Sequence, residues 1–387
     1  MPPYLLIAGD FVKTGGMDRS NYALASYLAE NGVQTHLVTH RTEPELARHP
    51  NVTVHRVPKL ARSYVLAAPL LDRIGRVWAR RITARGGKVV ANGGNCILGD
   101  VNWVHYVHAA YRRETSSGVA HRIRLELANQ FARTVEQQAL RGARTIITNS
   151  NRTRDDLVRR LRIPRSRIHT IYYGTDPKLF RPASDDERVA LRRELGWRDG
   201  TPMMVFVGAM EDRRKGFDTV FEAWKILCGD PRWDGDLAVI GIGSETSIWL
   251  ERARRLRIER RVHFLGFRSD VPALLRACDA MIAPTRYEAY GLGIHEALCC
   301  GLPAFVSSDA GVAERYPTEL RDLLLPDPED VNALVQRLRT WRDNVYYWRE
   351  RVLPFSRELR RYTWNDMSRD IVVVADSNAD SKLRALA

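Results

Sequence analysis

Short apolar runs alternate with amphipathic segments along the whole chain. In the first half, an apolar run at 4–8 precedes a glycine-containing loop, an amphipathic segment at about 21–30 and a second apolar run at 33–39. This β–turn–α–β order predicts a doubly wound α/β sheet. Further short strands are predicted in the same half at 52–57, 89–90, 101–107 and 145–148.

The alternation starts again in the second half of the chain. The elements predicted there are a helix at 217–227 and strands at 203–207, 237–240, 262–265, 280–283 and 304–306. Strands separated by helices are typical of parallel sheets. The connection between the halves, from Tyr173 to Asp186, is polar and contains prolines, as domain linkers do. The pattern therefore predicts two α/β domains.

Length and composition agree with a globular protein of two domains. The chain has 387 residues, of which 44% are hydrophobic and 27% charged, and a single core rarely extends over that length. No apolar run approaches the roughly 20 residues that span a bilayer. The first residues read neither as a basic leader nor as a long apolar segment, so no signal peptide is predicted. The five cysteines show no metal-ligand spacing, which predicts reduced thiols and a cytoplasmic protein.

The net charge of +14 suits nucleic acid, an anionic membrane surface or a polyanionic substrate. Much of the excess lies between Lys59 and Lys88, where Asp72 is the single acidic residue. Apolar residues there recur at three- and four-residue steps between arginines, which predicts a basic amphipathic helix at an anionic membrane. The alternative is that the apolar face packs on the first sheet while the arginines are solvated. The residues concerned are Leu70, Leu71, Ile74, Val77, Trp78 and Ile82, with Arg73, Arg76, Arg80, Arg81 and Arg85.

A segment with two carboxylates and two glycines follows the predicted strand at 280–283. Glu288 and Glu296 lie on either side of Gly291 and Gly293. In α/β sheets, ligands bind where strands end and helices begin, because free backbone N–H groups there favour anions. The glycines allow a ligand to approach the backbone closely. Glu296, about one turn into the predicted helix, is suited to accept hydrogen bonds from vicinal hydroxyls such as those of ribose; the alternative is a solvated glutamate pair beside an ordinary turn.

The segment as a whole resembles the donor-sugar motif of the retaining glycosyltransferases of family 4, in which two glutamates separated by seven residues bracket a glycine-rich turn. The resemblance extends from about Tyr4 to Asp376. It implies the GT-B fold, in which two Rossmann-like domains face each other across a cleft and a C-terminal helix crosses back to the first domain. We therefore expect an acceptor-binding domain at 1–180, a nucleotide-sugar-binding domain at 181–355, and a returning helix with a tail at 356–387.

The resemblance implies roles for the carboxylates and for the cations. Glu288 is expected to contact hydroxyls of the donor sugar, and Glu296 the ribose. Lys215 is similar to the lysine that binds the diphosphate, where a cation stabilises the departing group. The family often has an arginine where this chain has Ala209, and Arg214 or Arg213 is a candidate replacement; a solvated basic loop is the alternative.

The same resemblance implies further donor-site residues. Tyr290, Gly291 and Leu292 lie between the two glutamates. Gly15 and Gly16 resemble the loop whose backbone amides lie under the transferring sugar and phosphate, and a plain flexible turn is the alternative. His108 resembles the histidine that contacts the donor sugar at a strand end. His105 and His108 would point to opposite faces of an extended strand, and a structural histidine is the alternative.

The function implied by the resemblance is that of a retaining hexosyltransferase. It would use a nucleotide-diphosphate sugar, with no metal ion and no other cofactor, in the synthesis of a cell-envelope polysaccharide, a glycolipid or a glycoside. A lipid-linked or anionic acceptor and peripheral contact with the inner face of the membrane are hypotheses from the basic segment. Two other functions stay open: a protein that binds the nucleotide sugar without turnover, and a basic nucleic-acid-binding protein, whose signature motifs are absent.

Overall fold

The chain divides into two compact units. The structure is a computed structural model that describes residues 2–59, 64–97, 100–111, 119–198, 200–210 and 213–384, without the side chains of 65, 119–125 and 378–384. Within these residues, the first unit contains 2–111, 119–174 and 363–384, and the second contains 175–362. The chain enters the second unit after Gly174 and leaves it after Tyr362, whereas the sequence suggested boundaries at 180 and 355.

In the described part of the first unit, seven parallel strands form one sheet in the order β5-β3-β1-β6-β7-β8-β9. Their bounds are Tyr4–Ile7 (β1), Thr35–Thr39 (β3), Val52–Arg56 (β5), Lys88–Asn92 (β6), Val101–Val104 (β7), Thr145–Thr148 (β8) and Ile168–Thr170 (β9). Asp10–Phe11 (β2) and Arg41–Thr42 (β4) pair separately. The central strands are buried on both faces, which explains why they are read as short apolar runs.

Helices lie between these strands in the first unit. They are Gly16–Glu30 (α1), Pro44–Arg48 (α2), Tyr64–Thr83 (α3), Val119–Gly142 (α4) and Asn151–Leu161 (α5). The C-terminal helix Trp364–Arg384 (α13) packs against α1, and the Tyr4 hydroxyl donates a hydrogen bond to Asp376 at 2.7 Å. The expectation of a C-terminal helix that returns to the first domain is therefore confirmed.

The basic helix α3 uses most of its apolar face inside the first unit. Leu71 and Ile82 are buried in a core cluster with Leu5 and Val89 from the sheet, and Trp78 packs against the same cluster. The arginines at 73, 80, 81 and 85 are exposed, as is the side chain of Val77. The apolar face of α3 therefore packs on the first sheet, as the second of the two interpretations of the sequence had it. Any contact with a membrane would depend on the exposed arginines.

The second unit repeats the architecture. In its described residues, the sheet order is β12-β11-β10-β13-β14-β15, and every pair is parallel. The strands are Met203–Val207 (β10), Asp236–Ile240 (β11), Val262–Gly266 (β12), Ala280–Ala283 (β13), Ala304–Ser307 (β14) and Leu324–Leu325 (β15). The helices are Asp185–Glu194 (α6), Phe217–Cys228 (α7), Thr246–Arg255 (α8), Val271–Ala277 (α9), Leu292–Cys299 (α10), Val331–Asp343 (α11) and Val345–Arg360 (α12).

Candidate active site

Two neighbouring strands of the second sheet end at the candidate site. β10 leads to the segment Arg213–Gly216, which we call the cation loop, and β13 leads to Pro284–Gly291, which we call the carboxylate loop. Because β10 and β13 are paired in parallel, their carboxyl ends lie at the same edge of the sheet. The topology therefore brings together two loops that are about 70 residues apart in sequence.

Glycine is required where the two loops touch. Gly216 has φ of 75°, and a Cβ atom there would lie 1.9 Å from the carbonyl oxygen of Pro284. Any side chain would push the loops apart and would also be strained by the left-handed backbone. At the other end of the carboxylate loop, Gly291 has φ of 103° and precedes α10. These two glycines let the cation loop approach the carboxylate loop and let α10 begin directly after it.

The predicted donor-site residues Lys215, Arg214 and Glu288 are in contact. Lys215 Nζ lies 2.6 Å from Glu288 Oε2, and Arg214 Nη1 lies 3.5 Å from the same oxygen. Their side chains are 25%, 17% and 13% exposed, so the charges are largely removed from water but remain reachable. Two cations directed at one carboxylate can exchange that carboxylate for a phosphate oxygen, because both are anionic hydrogen-bond acceptors. The arrangement is thus suited to an anionic ligand.

Arg214, rather than Arg213, is the arginine beside Glu288. Arg214 also donates from Nη1 to the Tyr287 carbonyl at 3.2 Å, whereas Arg213 pairs with Asp218 at 3.1 Å. Ala209 has no charge, so the structure selects Arg214 as the guanidinium nearest to the predicted site.

The remaining predicted residues of the second unit lie around the start of α10. Glu296 is buried just beyond the first turn of this helix, as the spacing predicts. Leu292 opens the helix and is buried, and the Tyr290 hydroxyl lies 2.9 Å from His295 Nδ1. The Tyr290 carbonyl accepts a hydrogen bond of 2.7 Å from the Val312 amide. These contacts fix the loop that presents Glu288.

Gly15, Gly16 and His108 belong to the first unit. Gly15 has φ of 77° and precedes α1, which Gly16 opens. Asp18 lies in the first turn of this helix, and burial raises the pKa of its carboxyl to about 6, with a further contribution from the charge of Asp10. The predicted Gly-Gly turn is therefore present at the N-terminus of a helix, where backbone N–H groups are available to a ligand.

The strand that was expected to carry His105 and His108 is shorter than predicted. β7 ends at Val104, so the expectation that the two side chains lie on opposite faces of one strand is wrong. His105 is buried and hydrogen-bonded to the Tyr173 hydroxyl at 2.5 Å, and burial lowers its pKa to about 3. These contacts make His105 a structural residue, and His108 stays the predicted contact of the donor sugar.

A buried carboxylate that the sequence did not reveal holds His108. Glu136 on α4 is 1% exposed; its Oε1 lies 2.9 Å from His108 Nδ1, and its Oε2 accepts from the His108 backbone amide at 3.1 Å. A carboxylate at Nδ1 keeps the proton on that nitrogen and leaves Nε2 as the acceptor of the neutral ring. Since Glu136 is 28 residues away in a polar helix, nothing in the local sequence pointed to this partner.

Arg286 is a second residue that sequence reasoning missed. It lies in the carboxylate loop, two residues before Glu288, and pairs with Asp218. Arg286 could have been found from its place in the segment that carries the two predicted carboxylates.

None of the helices in the described residues is long and apolar enough to cross a membrane, and the described His, Cys, Asp and Glu side chains form no group of three or more that could hold a metal ion.

Two parallel-sheet α/β units define the GT-B class of glycosyltransferase fold, and solved structures share it over 95% or more of the chain. Sucrose-phosphate synthase from Thermosynechococcus elongatus is 20% identical, with a TM-score of 0.76 and all of both chains covered. WaaG, a glycosyltransferase involved in lipopolysaccharide biosynthesis, is 20% identical with a TM-score of 0.73, covering 95% of this chain and 99% of that one. Anabaena HepE, solved in complex with UDP-glucose, is 17% identical with a TM-score of 0.68, covering 97% and 99%.

Family models match both units. Residues 14–179 match the model described as Glycosyltransferase Family 4, and residues 201–344 match Glycosyl transferases group 1. The chain belongs to this family of glycosyltransferases. The predicted resemblance and fold class are thus confirmed, and the chain is a transferase; the nucleic-acid-binding alternative receives no support.

Curated relatives at similar distance carry different names. The D-inositol 3-phosphate glycosyltransferase of Salinispora tropica is 25% identical over 407 aligned positions, which cover 96% of this chain and 83% of that protein. Mannosylfructose-phosphate synthase of Agrobacterium fabrum is 25% identical over 263 positions, covering 65% and 57%. O-antigen chain mannosyltransferase B of Escherichia coli is 28% identical over 220 positions, covering 55% of each chain. Since their names differ in sugar and acceptor, similarity at this level does not select a substrate.

Proposed function

We propose that this protein transfers a hexosyl group from a nucleotide-diphosphate sugar to an acceptor, with retention of the anomeric configuration and without a metal ion. The observation that carries the proposal is the contact of Lys215 and Arg214 with Glu288 at the carboxyl edge of the second sheet. One solved structure of the same fold, Anabaena HepE, holds UDP-glucose. A uridine diphosphate sugar is therefore the first donor to test.

In this proposal, the diphosphate takes the place of the Glu288 carboxylate at the two cations. Lys215 and Arg214 then neutralise the charge that grows on the departing phosphate as the bond from the anomeric carbon to its oxygen breaks. Glu288, released from the cations, accepts hydrogen bonds from hydroxyls of the sugar. Glu296 accepts from the ribose hydroxyls, next to the N-terminus of α10.

The acceptor hydroxyl attacks the anomeric carbon on the face that the diphosphate leaves, and its proton passes to the departing phosphate oxygen. This route needs no protein nucleophile and agrees with retention. We also propose that His108, held by Glu136, contacts the donor sugar and that Gly15 and Gly16 supply backbone amides to its phosphate. Tyr290, Gly291 and Leu292 complete the donor site in the second unit.

A thermal-shift screen of nucleotide sugars tests the donor. A ligand at about 100 times its dissociation constant stabilises the folded protein by about 2.7 kcal/mol. We expect UDP-sugars to raise the melting temperature without added metal and in the presence of EDTA. Proton NMR of the transfer product then reads the anomeric configuration. An inverted product, or transfer that stops with EDTA and resumes with a divalent cation, would contradict the proposed mechanism.

The alternative of nucleotide-sugar binding without turnover rests only on the uncharged Ala209. Release of nucleoside diphosphate from a bound donor separates the two functions. Binding without release, with water or any offered acceptor, would support the non-catalytic alternative. Steady release that Lys215→Ala abolishes would support the enzyme.

The acceptor side of the proposal rests on charge. We propose a cytoplasmic protein that contacts the anionic inner face of the membrane through the exposed arginines 73, 80 and 81 of α3, where a lipid-linked acceptor would lie. Each basic residue near an anionic leaflet contributes about 1 kcal/mol. Flotation with anionic but not neutral vesicles, lost when the three arginines become glutamate, is the expected result. Equal charge reversal at Arg252, Arg254 and Arg255 on α8 is the control, and no flotation at low salt would point to a water-soluble acceptor.

A further inference from the structure

An arginine with no predicted role joins the two loops of the candidate site. Arg286 lies in the carboxylate loop, and its side chain is 13% exposed. Its backbone N–H donates to the Arg214 carbonyl at 2.8 Å, and its Nη1 donates to the Arg213 carbonyl at 2.5 Å. One residue therefore holds two consecutive carbonyl groups of the cation loop.

The guanidinium of Arg286 is itself anchored on both sides. Nη1 and Nη2 donate to the two carboxylate oxygens of Asp218, each at 2.8 Å, and Nε donates to Glu329 Oε1 at 2.6 Å. Asp218 lies in the first turn of α7, directly after the cation loop. Burial alone would raise the pKa of the Asp218 carboxyl, but hydrogen bonds and charge from Arg286 and Arg213 outweigh it and lower the pKa. A bidentate pair of this kind fixes orientation as well as distance.

Each residue of the cation loop contacts the carboxylate loop or is held by it through its carbonyl group. The carbonyls of Arg213 and Arg214 accept hydrogen bonds from Arg286. The next residue, Lys215, contacts Glu288, and Gly216 lies against Pro284. A lysine side chain has several rotatable bonds, and holding its backbone reduces the number of positions that its amine samples. The directions of the Lys215 and Arg214 side chains therefore depend on the two backbone carbonyls that Arg286 holds, those of Arg213 and Arg214.

We propose that Arg286 is a positioning residue that straps the cation loop to the carboxylate loop and so presents Lys215 and Arg214 to an anionic group. The inference rests on the proposed function of these two cations in diphosphate binding. Four of the five N–H donors of the guanidinium are directed to Asp218, Glu329 and the Arg213 carbonyl. Arg286 thus acts through the loop and need not touch the ligand.

Amide hydrogen exchange of the ligand-free protein tests the strap directly. We expect Arg286→Met to speed exchange in peptides covering 213–220, while Arg286→Lys, which keeps the charge but loses the bidentate geometry, restores part of the protection. Arg276→Met removes an arginine of similar burial that pairs with Glu187 in the same unit, and should leave these peptides unchanged. Unchanged exchange in a folded Arg286→Met protein would overturn the proposal. Asp218→Asn weakens the same anchor from the other side and is the second variant, with the same expected result.

Calorimetry with UDP and uridine then tests the link to Lys215. We expect Arg286→Met to raise the Kd of UDP by about tenfold and to leave that of uridine unchanged. In a Lys215→Met background, the second substitution should add less than about twofold, because the side chain that it positions is gone. Fully additive losses, or equal losses for uridine, would overturn the positioning role. A wild-type protein that binds no UDP contradicts the proposed UDP donor, and the exchange experiment still decides on the strap.

Discussion

Replacing Glu288 by glutamine should separate nucleotide binding from turnover. The Glu288 carboxylate contacts both Lys215, at 2.6 Å, and Arg214, at 3.5 Å. A diphosphate can engage these cations only by displacing the carboxylate. Glutamine keeps the size of the side chain and removes the negative charge, so the competitor for the cations is weakened.

The size of the effect follows from the contact. Two unit charges at about 4 Å attract by about 4 kcal/mol at an effective dielectric constant of about 20, and desolvation cancels much of this. Hydrogen bonds to charged groups retain a net value of about 1.5–3 kcal/mol. The lower end applies here, because Lys215 and Arg214 keep some contact with water. We therefore expect Glu288→Gln to bind UDP about tenfold more tightly than the wild type.

Turnover should change in the opposite direction. If Glu288 holds hydroxyls of the sugar in the transition state, its loss costs about 1.5–3 kcal/mol, which is about 10–150-fold in kcat. The assays are calorimetry with UDP and initial rates of UDP release from the donor, with water as the acceptor until a better one is found. Glu222→Gln removes the same charge from a partly exposed pair with Arg252 in the same unit and should change neither quantity.

The opposite outcome would refute this reasoning. Weaker UDP binding in Glu288→Gln, with kcat preserved, would mean that the carboxylate supports the nucleotide rather than the sugar. Tighter UDP binding that persists in a Lys215→Met background would mean that the gain does not arise from competition for that cation.

Four further results are expected. Lys215→Ala should weaken UDP binding by about 1.5–3 kcal/mol and leave uridine binding unchanged in calorimetry, and equal losses for both would exclude a diphosphate contact. Glu296→Ala should weaken uridine and UDP alike, because its predicted partner is the ribose, and unchanged affinity would count against that contact. His108→Ala should lower transfer with nucleotide binding intact, and Glu136→Gln should lower it in part; full activity of both would make the pair structural. Because the pKa of the Asp18 carboxyl is raised to about 6, its ionised form is disfavoured in the folded protein, and the stability of the fold decreases as the pH rises through about 6. Asp18→Asn should therefore raise the melting temperature more at pH 7.5 than at pH 4. An equal shift at both pH values would contradict the raised pKa.

Much of the fold could be predicted from local patterns. The strands Thr145–Thr148, Met203–Val207 and Ala280–Ala283 have the predicted bounds, because a strand buried on both faces is a continuous apolar run that ends where polar residues begin. The strand Ile168–Thr170 was missed, since it lies at a sheet edge and its sequence is short and polar. The strand at 101–107 was predicted too long, because apolar and aromatic residues continue beyond Val104 into a turn.

The motif spacing also predicted where the cations and carboxylates of the second unit would lie. Lys215 and Glu288 lie in loops that follow strands, and Glu296 lies near the start of a helix; a parallel sheet gathers such positions at one edge. Which arginine stands beside Glu288 could not be predicted, because Arg213 and Arg214 are adjacent and their directions depend on the turn between them.

The sequence by itself determined the class of fold, the family and the set of residues at the carboxyl edges of the two sheets, because apolar periodicity and glycine-rich motifs are local properties of the chain. Only the tertiary structure decided the partners of those residues. Glu136 reaches His108 across 28 residues, and Arg286 reaches Asp218 across 68. Such pairs are set by which strands and helices become neighbours and by the direction of each side chain. Burial then decides their electrostatics, since a charge removed from water must find a partner or shift its pKa.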